Sequence, residues 1–374
     1  MKDKKVWFIT LNDIPSGVYI SQVIDVVRLY KSHNIEANLL AIIPIRNFFE
    51  NRKKIKSYLN RARVYPAFPK LKNWRLNKFY LRLIDYGENT TLICRNIFST
   101  NLAFRIPNQG QKIVYDGRGA ISAEQNEYGV YSGTGLESEI FELEKMAVKH
   151  SNRQIAVSSK LVQYWRETFG SEASDAIVIP CNLSFDSNEN FKTITKEQLG
   201  WNKDNVVLVY SGSGQGWQSM NYVKQVLVKL LKQDSQVCIL FLAKESEELR
   251  ELREIFGPRI CIKWVNHNEV FSYLKLADYG LVLREYSITN SVASPVKIAE
   301  YLSAGLQVII SDKIGDYSEI IQHNKLGLVI KEDEIPIGLD CNKYKVRIRD
   351  FALDRFSKSA PLIYNKYTSL LDEF

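Results

Sequence analysis

The segment Ser291–Asp312, SVASPVKIAEYLSAGLQVIISD, sets a hydroxyl at Ser294, a proline at Pro295, an amine at Lys297 and a carboxylate at Glu300 within two helical turns. Serine before proline reads as a helix start. The hydroxyl can accept from an early unpaired N–H, and proline fits the first turn because its missing N–H is not needed there. The unpaired N–H groups and partial positive charge of Ser294-Pro295-Val296-Lys297 suit a phosphate, and Lys297 adds a full charge. Glu300 follows about one turn later, at roughly 1.5 Å rise per residue. That is the reach from a pyrophosphate to a ribose, whose hydroxyls a carboxylate can accept. The alternative is an exposed i,i+3 pair of Lys297 and Glu300, worth about 0.2–0.5 kcal/mol. Spacing alone favours the pair.

The elements around this segment follow from its pattern. Pro295, Ile298, Ala299 and Leu302 repeat at helical spacing and form an apolar stripe, with Lys297, Glu300 and Ala304 toward another side. Gly305 ends the helix, and Gln307 to Ile310 reads as a short parallel-sheet strand. Upstream, Val206 to Tyr210 reads as a strand that runs into Ser211-Gly212-Ser213-Gly214-Gln215-Gly216-Trp217 and a helix from about Ser219. Strand, glycine loop and helix make a phosphate cradle, in which Gly212, Ser213 and Gly214 are candidate contacts. A dinucleotide-binding reading fails: the spacing is GxGxG, and the next strand, Val237 to Leu242, leads to Ala243 and Lys244 instead of a ribose-binding acid. The strand Tyr279 to Leu283 delivers Arg284, placed to fork onto phosphate oxygens, and Glu285. A salt bridge between these two is opposed by the alternation of neighbours on a strand.

In the first half of the chain, strand Val6 to Thr10, a turn at Gly17, a helix from Tyr19 to Ser32 and a strand Glu36 to Ile43 make a Rossmann-like half. Gly17 is either a point of close ligand approach or plain turn chemistry. Thr91 to Arg95 reads as a further strand. Lys112 to Tyr115 is another, delivering Asp116-Gly117-Arg118-Gly119 at its carboxyl end ahead of one helix expected from about Ser122 to Lys149. A polar stretch near residues 182–200 suits a linker. The C-terminal segment from Lys343 to Leu371 reads as a helix pair broken before Pro361.

The 374 residues suit two domains, and 45% hydrophobic with 25% charged residues is a globular composition. No apolar run approaches the roughly 20 residues of a membrane span, and MKDKKVWFIT lacks a signal-peptide pattern, so a cytoplasmic location is expected. The 5 cysteines are scattered without CxxC spacing, and neither HExxH nor DxD is present, so no metal is expected. The net charge of +8 points to an anionic partner. From Arg46 to Arg82 a dense run of Arg and Lys carries one acid, Glu50, and alternates with Phe48, Phe49, Tyr58, Tyr65, Phe68, Trp74, Phe79 and Tyr80. Such a mixture suits an anionic membrane surface, and a solvated helical face over core aromatics is its rival.

SPVKIAEYLSAGLQVIISD, followed by Gly315, Asp316 and Ser318-Glu319-Ile320-Ile321, resembles the donor-site signature of retaining glycosyltransferases of the GT-B fold, family 4, over residues 205–321. The resemblance implies an α/β protein with two Rossmann-like domains facing across a cleft. Residues 1–182 form an acceptor-side domain, 183–200 a linker, 201–345 a nucleotide-sugar domain, and 346–374 helices crossing back. It gives the diphosphate to Ser294, Pro295, Val296 and Lys297, the ribose to Glu300, and the base to the region of His267. Asp116 and Arg118 become cleft residues beside the donor sugar, with Arg95 and Glu124 as further candidates; the alternative is a local Asp116–Arg118 pair that fixes the turn. Family members carry a second acid eight positions before Glu300, where this chain has Val292, so Glu285 or Asp116 is expected to serve the sugar. The implied activity is metal-independent transfer from a nucleotide-diphosphate sugar to a glycan or lipid-linked acceptor, in surface polysaccharide or glycoconjugate synthesis at the inner face of the membrane, without nucleic acid. The alternatives are a nonenzymatic binding protein on the same scaffold and a sugar-nucleotide epimerase of similar fold.

Overall fold

Runs such as VVLVYS, VCILFL and QVIIS are apolar on both faces, as strands covered by helices on either side of a parallel sheet must be. In the computed structural model they are buried along nearly their whole length. The structure describes residues 4–107, 110–170, 176–184, 192–212, 216–332 and 334–372, with the backbone alone at His267. The chain divides into two units, Met1–Phe185 with Val292–Ser294 and Ser357–Phe374, and Asp186–Ser291 with Pro295–Phe356.

The first unit holds a parallel sheet of strands β1 (Lys5–Leu11), β2 (Glu36–Ile43), β3 (Arg63–Pro66), β4 (Thr90–Arg95), β5 (Lys112–Gly117), β6 (Arg153–Ala156) and β7 (Ile177–Val178). Their order is β3-β2-β1-β4-β5-β6-β7, so the winding reverses between β1 and β4. Val6 and Phe8 of β1 pack with Val23, Val27 and Tyr30 of the following helical segment. Each such burial contributes about 1.5–3 kcal/mol. That segment is helical from Gly17 to Ser32, with a π-helical stretch at Ile20–Ile24. The single helix expected over 122–149 is instead two, Ile121–Tyr128 and Ile140–His150. Gly129, Gly133 and Gly135 at φ of +60°, +76° and +75° turn the chain between them.

The second unit holds β8 (Val206–Ser211), β9 (Val237–Leu242), β10 (Ile260–Lys263), β11 (Tyr279–Val282), β12 (Gln307–Ser311) and β13 (Gly327–Ile330). Their parallel order is β10-β9-β8-β11-β12-β13, reversing between β8 and β11. Each unit is therefore an α/β sheet of the Rossmann-like kind expected from the sequence. In such sheets the carboxyl ends at the reversal point are where ligands sit. The C-terminal helices fall to different units: Lys345–Phe356 packs on the helix Val296–Ser303 of the second unit, and Pro361–Ser369 belongs to the first. Among the described residues no helix is long and apolar enough to cross a membrane.

Candidate functional site

At the reversal point of the second unit, β8 ends in Ser211 and Gly212, while the chain leaving β11 delivers Arg284. Gly212 is fixed by its neighbours, since a Cβ there would lie 2.5 Å from Gln218 Oε1 and 2.8 Å from the Tyr210 hydroxyl. The Tyr210 hydroxyl in turn donates to Gln218 Oε1 at 2.8 Å. The Ser211 N–H donates to the Tyr301 hydroxyl at 2.8 Å. Gly280 on β11 leaves the space that the Tyr301 ring fills, because a Cβ there would meet the ring at 2.2 Å. Ser213 and Gly214 lie outside the described residues.

The helix after β11 spans Val296–Ser303 and ends at Gly305 with φ +82°. Its cap position is Pro295, which has no side-chain acceptor, and the Ser294 hydroxyl instead accepts the Cys181 N–H at 3.0 Å. The expected serine cap is thereby corrected: Pro295 takes the cap position, and Ser294 groups with the first unit. The one-sided stripe is corrected as well. Lys297, Ile298, Ala299, Tyr301, Leu302 and Ser303 are all buried, so the helix is covered on nearly every face. This excludes the exposed Lys297–Glu300 pair. The Lys297 amine lies 4.5 Å from the centroid of the Tyr210 ring. Burial lowers its pKa to about 7, the nearby Arg284 charge adds to this, and Glu300 opposes it. Glu300 is partly exposed one turn along the same helix.

Arg284 is also buried, and its Nη1 donates to Asn290 Oδ1 at 3.0 Å. Its backbone N–H donates to the Ser311 hydroxyl at 2.9 Å, and that of Glu285 to the Ser219 hydroxyl at 3.0 Å. Arg284 is thus buried and Glu285 exposed, both on the loop beyond β11, and no strand alternation acts on them. Asn290 gave no signal in the sequence. Arg284, Lys297 and the helix start are brought together here, and such paired buried cations are suited to an anion of two charges. His267 opens the helix His267–Leu274 beyond β10, held by a capping box between Asn266 and Glu269.

The first unit gathers a second polar cluster at the carboxyl ends of β1, β4 and β5. Arg118 meets Asp116 through Nε at 2.8 Å and Nη2 at 3.0 Å, and Arg95 Nη1 stands 3.7 Å from the same carboxylate. Asp116 is fully buried, at 0% exposure, inside these guanidinium groups. A direct catalytic part was expected of it; the structure shows its carboxylate engaged by the Arg118 and Arg95 guanidinium groups. Arg118 Nη1 also donates to Gln22 Oε1 at 3.3 Å, and Gln22 Nε2 donates to the Asn182 carbonyl at 2.7 Å. Gln22 sits in the π-helical stretch, a distortion that often marks functional positions. Gly17 opens that helix, capped by the Ser16 hydroxyl accepting from the Tyr19 N–H. Asp13, missed in the sequence, stands 3.9 Å from Arg95, and burial raises its pKa. Glu124 lies behind the Gly119 backbone, and burial with the charges of Glu144 and Glu127 raises it to about 7.

Residues 191–336 match the sequence model of the family "glycosyl transferases group 1". None of the curated proteins matches the chain. Among solved structures, sucrose-phosphate synthase from Thermosynechococcus elongatus is similar at 13% identity and a TM-score of 0.71, over 98% of this chain and 97% of that one. A mutant of TarM from S. aureus, in complex with fondaparinux, alpha-GlcNAc-glycerol and UDP, is similar at 12% identity and a TM-score of 0.73, over 99% and 100%. HepE from Anabaena, in complex with UDP and glucose, gives 14% identity and a TM-score of 0.68 over 98% of each chain. The family match in the second unit gives the chemistry and the neighbours give the fold, and together they identify the chain as a glycosyltransferase of the GT-B fold.

Proposed function

We propose that this glycosyltransferase moves a sugar from a nucleoside diphosphate donor to a glycan or lipid-linked acceptor, with retention of configuration, in the synthesis of surface polysaccharide or glycoconjugate. The observation that carries the reading is the buried pair Arg284 and Lys297 at the reversal point of the second unit, with Glu300 one turn along. The diphosphate is the leaving group. Fixed cations at the place where its charge grows stabilise the transition state without reorganisation, and they supply what a metal supplies elsewhere. The transfer is therefore read as metal-independent. Glu300 accepts the ribose hydroxyls, and the exposed Glu285 is the carboxylate available to the sugar, since Val292 replaces the usual acid and is buried. That two structural neighbours hold UDP, one of them with glucose, supports a nucleotide-sugar donor. Arg118, oriented by Asp116, is read as the acceptor-side contact. The basic, aromatic stretch from Arg46 to Arg82 is read as the surface that meets an anionic membrane.

The test is Glu300→Ala, measured by titration with UDP-, GDP-, ADP- and dTDP-glucose. Donor affinity is expected to fall about tenfold, the loss of a charge-assisted hydrogen bond, with the melting temperature unchanged. Unchanged affinity for the donor preferred by the parent protein counts against the assignment. Donor turnover that needs no acceptor would point to the epimerase reading.

A further inference from the structure

Lys297 is a cation in an unusual place: buried, and set against an aromatic face instead of an anion. Among the described residues no carboxylate pairs with it and no acceptor takes its N–H groups. The titratable and charged groups that face it are Tyr210 on β8, Arg284 beyond β11, and Glu300 on its own helix. Of these, Arg284 is a second buried cation, and Glu300 carries the one negative charge. An amine so placed is held in a site that repels its proton until an anion arrives.

We propose that the donor's diphosphate enters this site together with one proton, which Lys297 takes up from solvent as the anion docks. The inference rests on the reading of Arg284 and Lys297 as the diphosphate site. The balance is simple: a neutral amine with one lone pair becomes an ammonium, and the two charges of the diphosphate are then met by Lys297 and Arg284. The Tyr210 ring keeps the side chain in place in the empty site, where its face favours whatever ammonium is present. The Tyr210 hydroxyl is pushed up to about 12 by burial, with Arg284 opposing, so the ring supplies no charge of its own near neutrality.

The sign follows from the direction of the Lys297 shift. Burial and Arg284 bring the amine to about 7, and a docked dianion raises it again. At pH 6 the amine is charged both with and without donor, so binding takes up almost nothing. At pH 8 it is mostly neutral when empty and charged when occupied, so uptake approaches about 0.9 proton per donor. Donor affinity accordingly weakens about thirtyfold between pH 6 and pH 8.5. The diphosphate of a nucleotide sugar does not itself titrate in this range, which leaves the protein as the source of the linkage.

The experiment is calorimetric titration of the full chain with UDP-, GDP-, ADP- and dTDP-glucose, in PIPES, HEPES and Tris buffers of different ionisation enthalpy, at pH 6 and pH 8. For the donor that binds, the slope of heat against buffer enthalpy is expected near zero at pH 6 and near one at pH 8. Lys297→Arg keeps a permanent charge and should remove the slope at both pH values while retaining binding. Lys297→Met should remove the slope and weaken binding at pH 6 tenfold or more. A flat response at pH 8 in the parent protein, with Lys297→Met still weakening binding, overturns the proton uptake and leaves the donor site standing. Parent-like affinity in Lys297→Met, or no binding of any of the four donors, overturns the donor-site reading itself.

Discussion

Arg284 and Asn290 form a contact on which three segments of the second unit converge. Arg284 Nη1 donates to Asn290 Oδ1 at 3.0 Å, while Asn290 Nδ2 donates to the carbonyls of Trp217 at 3.2 Å and Glu285 at 3.0 Å. The Asn290 carbonyl also accepts the Gly315 N–H at 3.3 Å. One fully buried amide thus ties the segment after the glycine loop, the chain leaving β11, and the guanidinium that is read as a phosphate clamp. Asn290→Ala removes the side-chain bonds and leaves two carbonyls and a guanidinium short of a partner, at about 1–3 kcal/mol. The expected outcome is a lower melting temperature and a donor affinity weakened about tenfold, measured by thermal shift and calorimetry. A variant that melts lower yet binds donor like the parent would show that Asn290 serves the fold and does not position Arg284.

Asp116 supports a prediction of a different kind, because its partners lie in the first unit. Asp116→Asn keeps the shape but removes the charge that neutralises Arg118 and Arg95. Breaking a buried pair from one side costs about 3–5 kcal/mol, and the partial exposure of both arginines, 14% and 12%, lowers that figure. The melting temperature is expected to fall, and transfer to acceptor to drop at least tenfold. Donor affinity should stay within about twofold, since no donor contact is assigned to this carboxylate. Equal loss of donor affinity and transfer would place the Asp116 cluster at the donor instead.

What could be read from the sequence was whatever depends on near neighbours in the chain. Strands such as Val237–Leu242 were legible to the residue, because a strand covered on both faces must be apolar throughout. The helix ends at Gly170 and before Pro361 were legible too, since these residue types change backbone preference locally. The burial of Lys297, which spacing alone would leave in an exposed pair, was not legible for the converse reason: its covering ring, Tyr210, lies 87 positions upstream, and helical spacing carries no trace of it. Gln22, whose amide reaches the Asn182 carbonyl across 160 positions, was silent in the same way. So was Glu144, which accepts the Ile121 and Ser122 N–H groups at 3.1 and 2.7 Å and caps a helix that has only Ala120 at its cap position. In the basic stretch from Arg46 to Arg82 only the burial of the aromatics can be read off, and it is uneven. Trp74 is core at 0% exposure and Tyr65 stacks on Tyr80 at 4.7 Å, whereas Phe49 stands 82% exposed.

The exposed part of that stretch gives the last prediction. The helix Phe48–Tyr58 buries Ile55 and turns Phe49, Arg52, Lys53 and Lys54 outward, and Ile45, Leu76, Phe79 and Leu83 of the same stretch and its flanks are exposed as well. Basic groups near an anionic leaflet contribute about 1 kcal/mol each, and an aromatic ring adds burial at the headgroup level. Replacing Arg52, Lys53 and Lys54 together by Gln therefore removes about 3 kcal/mol, or roughly a hundredfold in partition. Phe49→Ala should cost less and be insensitive to salt, because it acts through apolar area. The measurement is co-sedimentation with phosphatidylcholine vesicles with and without about one third phosphatidylglycerol, at low and high salt. Binding is expected only to the anionic vesicles, to fade as screening shortens the reach of the charges, and to be lost in the triple variant while donor affinity stays intact. Equal binding of the parent protein and the triple variant, or no preference for phosphatidylglycerol, would remove the membrane from the account and leave these residues as a solvated face.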